Sequence, residues 1–141
     1  MGTMSSDEAM RFLAEGTRTG KLATASPSGR PHVAPIWFVV DGTDLVFTTG
    51  RDTVKGRNLR ANPRAALTVD VEQFPYDFVV VRGPVTLYED LDEMLHWATR
   101  VAARYVPDGR AQEYGRRNAV PEEWLARLRV EHVAGIRDIA L

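Results

Sequence analysis

The sequence predicts a mainly β protein, a small antiparallel barrel with helices covering its ends. Two observations carry that expectation. Six short runs rich in β-branched and aromatic residues are separated by hairpin chemistry, and two stretches switch to helical spacing of their apolar residues. The chain has 141 residues, the length of one domain, with no linker, repeat or low-complexity tract, so a single domain over 1–141 is expected.

The elements follow in order. "SSDEAMRFLAEG" reads as a helix capped by Ser6, with Asp7 and Glu8 at the positive end of its dipole and Gly16 at its stop. Met10, Phe12 and Leu13 form its buried side. Lys21–Ala25, His32–Val40 and Asp44–Thr49 read as a three-stranded meander, joined by "SPSGRP" and "DGT", where Gly29 and Gly42 supply positive φ. Pro35 cannot donate to a ladder, so it belongs at an edge, at a bulge, or against something other than a strand. A short helix runs from Val54 to about Ala61, capped by Asp52 or Thr53, with Asn62-Pro63-Arg64 as its exit.

"RAALTVDVEQ" and "DFVVVRGPVTLYE" give two more strands, with a bulge expected at Gly83-Pro84. "DLDEMLHWATRVAARYV" is an amphipathic helix capped by Asp90, its apolar face formed by Leu91, Leu95, Ala98, Val101 and Ala102. "DGRAQEYGRRNAVPEEWLARL" is polar and reads as one or two short helices, and "RVEHVAGIRDIAL" closes the chain as a strand.

Composition removes several function classes. A net charge of −1 and a pI near 6.3 argue against a nucleic-acid partner, which needs a broad basic surface. The absence of cysteine excludes thiol chemistry and fits a reducing compartment. His32, His96 and His132 lack metal-ligand spacing, so no metal is expected. Neither a GxSxG elbow nor a GxxxxGK[ST] or GxGxxG loop is present. No apolar run is long enough for a membrane span, and the N-terminal stretch lacks the regions of a secretory signal. A cytoplasmic protein is the expectation.

One stretch stands apart. "TTGRDTVKGRNLRANPR", Thr48–Arg64, holds Arg51, Lys55, Arg57, Arg60 and Arg64 against the single acid Asp52. It is either a solvated helix face or an anion site. Cations suit the last turn of a helix, yet Lys55 falls in the first. That placement is unfavourable unless an anion is shared between Lys55, Arg57 and the free backbone N–H groups, as in a phosphate site.

"HVAPIWFVVDG", "LVFTTGRDTVKGRNLRANPRAALTV" and "VRGPVTLYED" resemble the flavin-binding superfamily named after pyridoxamine 5′-phosphate oxidase. More closely they resemble its F420-dependent oxidoreductases of the FDOR-B group. The resemblance covers roughly Gly20 to Glu89 and implies a six-stranded antiparallel split β-barrel, FMN-binding-like. It further implies a homodimer with the cofactor across the subunit interface. The implied cofactor is F420, with FMN as the alternative. The implied activity is hydride transfer to a small-molecule substrate such as an enone, quinone or tetrapyrrole; non-catalytic binding of F420, flavin or haem is the other class.

By the same resemblance, Lys55, helped by Arg57 and Asn58, grips the cofactor phosphate. Thr48 and Thr49 lie near the phosphate and ribityl chain, and Val33, Ala34, Pro35, Ile36 and Trp37 run along the ring. Trp37, Phe38, Phe74, Tyr76 and Trp97 are candidates for a flat-sided pocket, and Tyr76, His32 or solvent for the proton. Arg110, Arg116 and Arg117 either meet the acidic tail of F420 or form a solvated loop. The chain departs from the oxidase pattern at Ala34, Val39 and Val54, where that pattern carries cations. The C-terminal Arg-x-His is missing from "VEHVAGIRDIAL", which points away from vitamin B6 oxidation.

Overall fold

A computed structural model describes residues 1–141. Its strands are β1 (Gly2–Thr3), β2 (Gly20–Ala25), β3 (Pro31–Ile36), β4 (Val39–Asp41), β5 (Asp44–Gly50), β6 (Arg64–Asp70), β7 (Phe78–Tyr88), β8 (Glu123–Arg129) and β9 (His132–Arg137). Its helices are α1 (Ser6–Ala14), α2 (Val54–Ala61), α3 (Leu91–Tyr105) and α4 (Ala111–Asn118). The mainly β class, the antiparallel pairing and the flanking helices are as expected. The strand count is nine rather than six.

The curled sheet runs β3-β2-β6-β7-β8-β5-β4, with β9 on the first half of β7 and β1 on β9. Strand β7 is the pivot. Phe78–Arg82 pair with β9, and Val85–Tyr88 pair with β8. The exchange falls at Gly83-Pro84, where a bulge was expected; instead the strand runs through in register with β6. A Cβ on Gly83 would run into the carbonyl of Arg129, where the chain leaves β8 for β9. Only glycine lets that crossover lie on the strand.

The meander expected from Lys21 to Thr49 is not formed. β2 pairs with β3 and β4 with β5, but the run His32–Val40 breaks at Trp37-Phe38. The break carries the chain from one end of the strand path to the other. Pro35 therefore sits on an edge strand, opposite Lys21, where its missing N–H leaves no gap in a ladder.

Inward-facing residues of both halves close one core around Leu22, Leu67, Val79, Val81, Phe47 and Leu128, sealed by Phe12 and Leu13 of α1 and by Leu59 of α2. A second cluster, Val46, Met94 and Leu125, fixes α3 on the outer face of β5 and β8. So β8 is buried on both faces. This explains why "EWLARLR", expected within a helical segment, is a strand: apolar residues on both faces erase the alternation that marks one.

Helix α1 is capped by Ser5 rather than Ser6, in a reciprocal capping box with Glu8. Helix α3 is capped by Asp90 as expected, and it buries Met94, Ala98, Val101 and Ala102. Leu91 and Leu95, assigned to its buried face, are 44% and 38% exposed.

Three segments are tied together at the end of α3. The Arg104 guanidinium donates to the carbonyls of Leu13, Glu15, Gly16 and Phe38 at 2.8, 3.3, 2.9 and 2.7 Å. The Tyr105 hydroxyl donates to Arg18 and Phe38 carbonyls, and its ring stacks on Trp37 at 5.2 Å and 7°.

Two stability predictions follow from these contacts. Arg104→Ala leaves buried carbonyls unpaired and is expected to cost about 2–4 kcal/mol in urea unfolding. An effect below about 0.5 kcal/mol would remove Arg104 as the tie. Gly83→Ala, forced against the Arg129 carbonyl, is expected to cost about 1–3 kcal/mol by the same measurement, whereas Gly2→Ala, with open space around it, is expected to be near neutral.

Candidate functional site

Helix α2 is held against the end of β5 by two devices. Thr53 caps it, accepting from the Gly56 N–H at 3.1 Å and donating to the Gly50 carbonyl at 2.7 Å. Gly56 then lets the helix approach closely, since a Cβ there would strike the Gly50 carbonyl. Together they set the first turn of α2, and Lys55 within it, at the mouth of a cavity.

That cavity has a volume of about 360 Å³, at the lower end for small-molecule sites. It is lined by Pro35 and Ile36 of β3, Trp37 after them, Thr48 of β5 and Lys55 of α2, together with Thr19, Val101, Asn118 and Glu123. Residues from the first half of the chain thus meet α3, α4 and β8. Thr48 reaches it because β5 alternates: Leu45 and Phe47 point into the barrel, and Thr48 points toward α3.

The cations of Thr48–Arg64 divide sharply. Arg51 lies over the Trp124 ring at 4.0 Å, bonds the Glu123 carbonyl and pairs with Glu89 at 2.9 Å. Arg57 folds back on the Asp52 carbonyl at 2.7 Å, and Arg64 pairs with Glu131 at 2.8 Å. Lys55 is half-buried, makes no ion pair or side-chain hydrogen bond, and faces the cavity.

Of the residues singled out in the sequence, the structure brings Pro35, Ile36, Trp37, Thr48 and Lys55 together. The others lie apart. Val33 points outward from the sheet at 65% exposure, and Ala34 faces the opposite way. Asn58 is buried, and its amide donates to Thr24 at 3.1 Å, which ties α2 to β2. Thr49 is buried on the barrel side of β5, its hydroxyl without a partner. Arg57 is committed to the loop ahead of its helix.

The aromatic candidates separate too. Phe38 is core, Trp97 packs under Arg100 and Arg127, and Phe74 is exposed. Only Trp37 lines the cavity, backed by Tyr105. Tyr76 lies in a separate groove with Lys21 and Ile139, and His32 is outside the cavity. Arg110 pairs with Glu113, and Arg117 lies over Tyr114, while Arg116 lines a groove between α3 and α4. No group of histidines and carboxylates could hold a metal ion, and no helix is long and apolar enough to cross a membrane.

Sequence reasoning missed Thr19, Val101, Asn118 and Glu123. No local signal marks them, because only tertiary packing brings α3, α4 and β8 to Lys55. Glu123 carries the largest consequence. Its carboxyl has no hydrogen-bond or ion-pair partner, and burial pushes it above the usual carboxylate range, with Lys55 pulling down and Glu122 adding to the rise.

The residues present fit a ligand with an anionic group and a flat apolar body. An unpaired lysine and a threonine hydroxyl stand at one end, and an indole face with a proline stands along one side. Comparison with known proteins agrees in kind. A family model described as pyridoxamine 5′-phosphate oxidase matches residues 6–136. Over 80 residues, 56% of the chain, the sequence is 36% identical to a pyridoxine/pyridoxamine 5′-phosphate oxidase of Azorhizobium caulinodans. The match spans 37% of that relative, so the chain accounts for little more than a third of its length.

Among solved structures, an F420 reductase matches with a TM-score of 0.70 at 29% identity, over 87% of this chain and 94% of that one. A haem-binding protein from Mycobacterium smegmatis matches with a TM-score of 0.72 at 25% identity, over 96% of this chain and 55% of the other. The fold, the cavity between α2, α3 and β3, and the extent of the family match agree: the chain belongs to the pyridoxamine 5′-phosphate oxidase family and has its split β-barrel fold.

Proposed function

We propose that this protein is an F420-dependent reductase of the FDOR-B group, acting in the cytoplasm on a small or planar organic acceptor such as an enone, quinone or tetrapyrrole. The observation that carries this reading is Lys55: half-buried, unpaired, and facing Trp37 and Thr48 across one cavity. The likeness to an F420 reductase supports it. So does the absence of cations at Ala34, Val39 and Val54, where the vitamin B6 oxidase pattern has them.

When bound, F420 supplies the hydride chemistry. The chain's own work is to hold the phosphate at Lys55 with the Thr48 hydroxyl beside it, to place the ring along Pro35–Trp37, and to exclude water with Ile36 and Val101. A flavin-dependent reading has its own support, since the curated relatives are oxidases of pyridoxine and pyridoxamine phosphate. The experiment that separates them is a fluorescence titration of F420 against FMN, followed by assay of hydride loss from reduced F420 to an enone or quinone. Tighter F420 binding with turnover is expected. FMN binding much more tightly would replace the reading with a flavin enzyme, and binding without turnover would leave a carrier. In the same titration, Lys55→Ala is expected to cost about 1.5–3 kcal/mol of cofactor affinity.

The homodimer belongs to this proposal. The outer face of β3, β2, β6, β7 and β9 has no helix over it. Register aligns Val33, Ala23, Ala66, Arg82 and His132 in one row, and Pro35, Lys21, Thr68, Val80 and Ala134 in the next. A sheet face with no helix over it, built of Ala, Val and Pro around Lys21, Arg82 and His132, is suited to a second copy. Sedimentation is expected to give twice the 15.7 kDa chain mass, and Val33→Asp to shift it toward the monomer. A monomeric wild type at micromolar concentration would remove the dimer.

A further inference from the structure

The cavity carries two charges and they have opposite sign. Lys55 stands at the start of α2 and Glu123 at the start of β8; every other lining residue, Thr19, Pro35, Ile36, Trp37, Thr48, Val101 and Asn118, is uncharged. The two are not within ion-pair distance of each other, and they interact only through the longer-range pull of Lys55 on the Glu123 carboxyl. The Glu123 backbone is held at two points. Its N–H donates to the Val120 carbonyl, its own carbonyl accepts from the Arg51 side chain, and the Glu123 Oε2 lies 3.1 Å from where a Cβ on its register partner Gly50 would stand. A carboxylate that lines the same cavity as a phosphate grip is costly to an anionic group seated beside it, and more costly the more charge that group carries.

We propose that Glu123 is a specificity-determining residue that favours a singly charged phosphodiester over a doubly charged phosphomonoester at Lys55. The inference rests on Lys55 as the phosphate grip. F420 carries its phosphorus as a diester with one negative charge; FMN carries a monoester, whose second ionisation near pH ~6 leaves it close to doubly charged at neutral pH. Against the ionised carboxylate, the monoester meets roughly twice the repulsion that the diester does. Removing the charge at position 123 therefore helps FMN more than F420.

The groups that face Glu123 also set its charge. Lys55 on α2 favours the ionised form and Glu122 beside it disfavours it; Arg51, after β5, bonds the Glu123 backbone carbonyl and is paired with Glu89, and α3, α4 and β3 line the cavity only with neutral residues. Burial raises the carboxyl's pKa, so wild type and the neutral variant converge as pH falls toward that raised value.

The test is a titration of F420 and of FMN against wild type, Glu123→Gln and Lys55→Ala. At about pH 8, Glu123→Gln is expected to raise the ratio of FMN to F420 affinity by about tenfold. The gap is expected to narrow as pH falls, both because burial raises the wild-type carboxyl's pKa and because the FMN monoester loses its second charge below about pH 6. Because the readout is a ratio, a general loosening of the cavity cancels. An equal change for both cofactors, or no change, overturns the specificity role while leaving the grip in place. If Lys55→Ala leaves both affinities unaltered, the phosphate grip itself fails, and the inference with it.

Discussion

The site depends on one half-buried cation held by backbone carbonyls. Arg104 lies in the last turn of α3, where a positive charge is favoured, and its guanidinium spans the C-terminal end of α1, where carbonyls point outward unpaired. No carboxylate answers it. Burial pushes its pKa below the usual arginine range, and the neighbouring Arg18 adds to that. Four carbonyl dipoles hold the charge instead. The planar fork suits this task, since an ammonium would not reach two directions at once.

The fourth carbonyl links this tie to function. It belongs to Phe38, the residue at which the chain leaves β3 for β4. Phe38 is fully buried, so its backbone is fixed from the core side as well. Trp37, one residue earlier, has its ring pressed flat on Tyr105. Core packing, helix capping and the aromatic wall of the cavity thus meet within two residues, and the orientation of Trp37 follows from the Arg104 and Tyr105 contacts at the end of α3. An aromatic wall so supported needs little reordering when a planar ligand arrives.

Local chemistry was legible in the sequence where it is decided locally. The helix over Val54–Ala61, its Thr53 cap, the exit at Asn62-Pro63-Arg64, the Asp90 cap and the positive φ at Gly29 and Gly42 all depend on neighbours within a turn. So does the oddity of Lys55 in a first turn. What was not legible depends on partners far along the chain. The strand at "EWLARLR" lost its alternation because α3 covers its outer face, and the apparent run His32–Val40 hid a change of partner. Leu91 and Leu95 fit the helical period yet project beyond the sheet that α3 covers. The family resemblance assigns Asn58 to the phosphate; its depth in the barrel commits its amide to Thr24.

The lining of the cavity also constrains what chemistry the chain can supply. It holds no thiol, no histidine and no nucleophile beside a base. Its two threonines and single asparagine are neutral hydrogen-bonding groups, and its only ionisable members are Lys55 and Glu123. Tyr76 and His32, the proton donors suggested by the sequence, lie outside it. A site of this composition can bind, stack, orient and set a charge balance, and it leaves the bond-making to what it binds. The near-neutral sum of the two charges matters for that reason. On the reading proposed above, Lys55 would draw a phosphate group and discrimination would fall to Glu123, which the fold brings in from the far end of the chain.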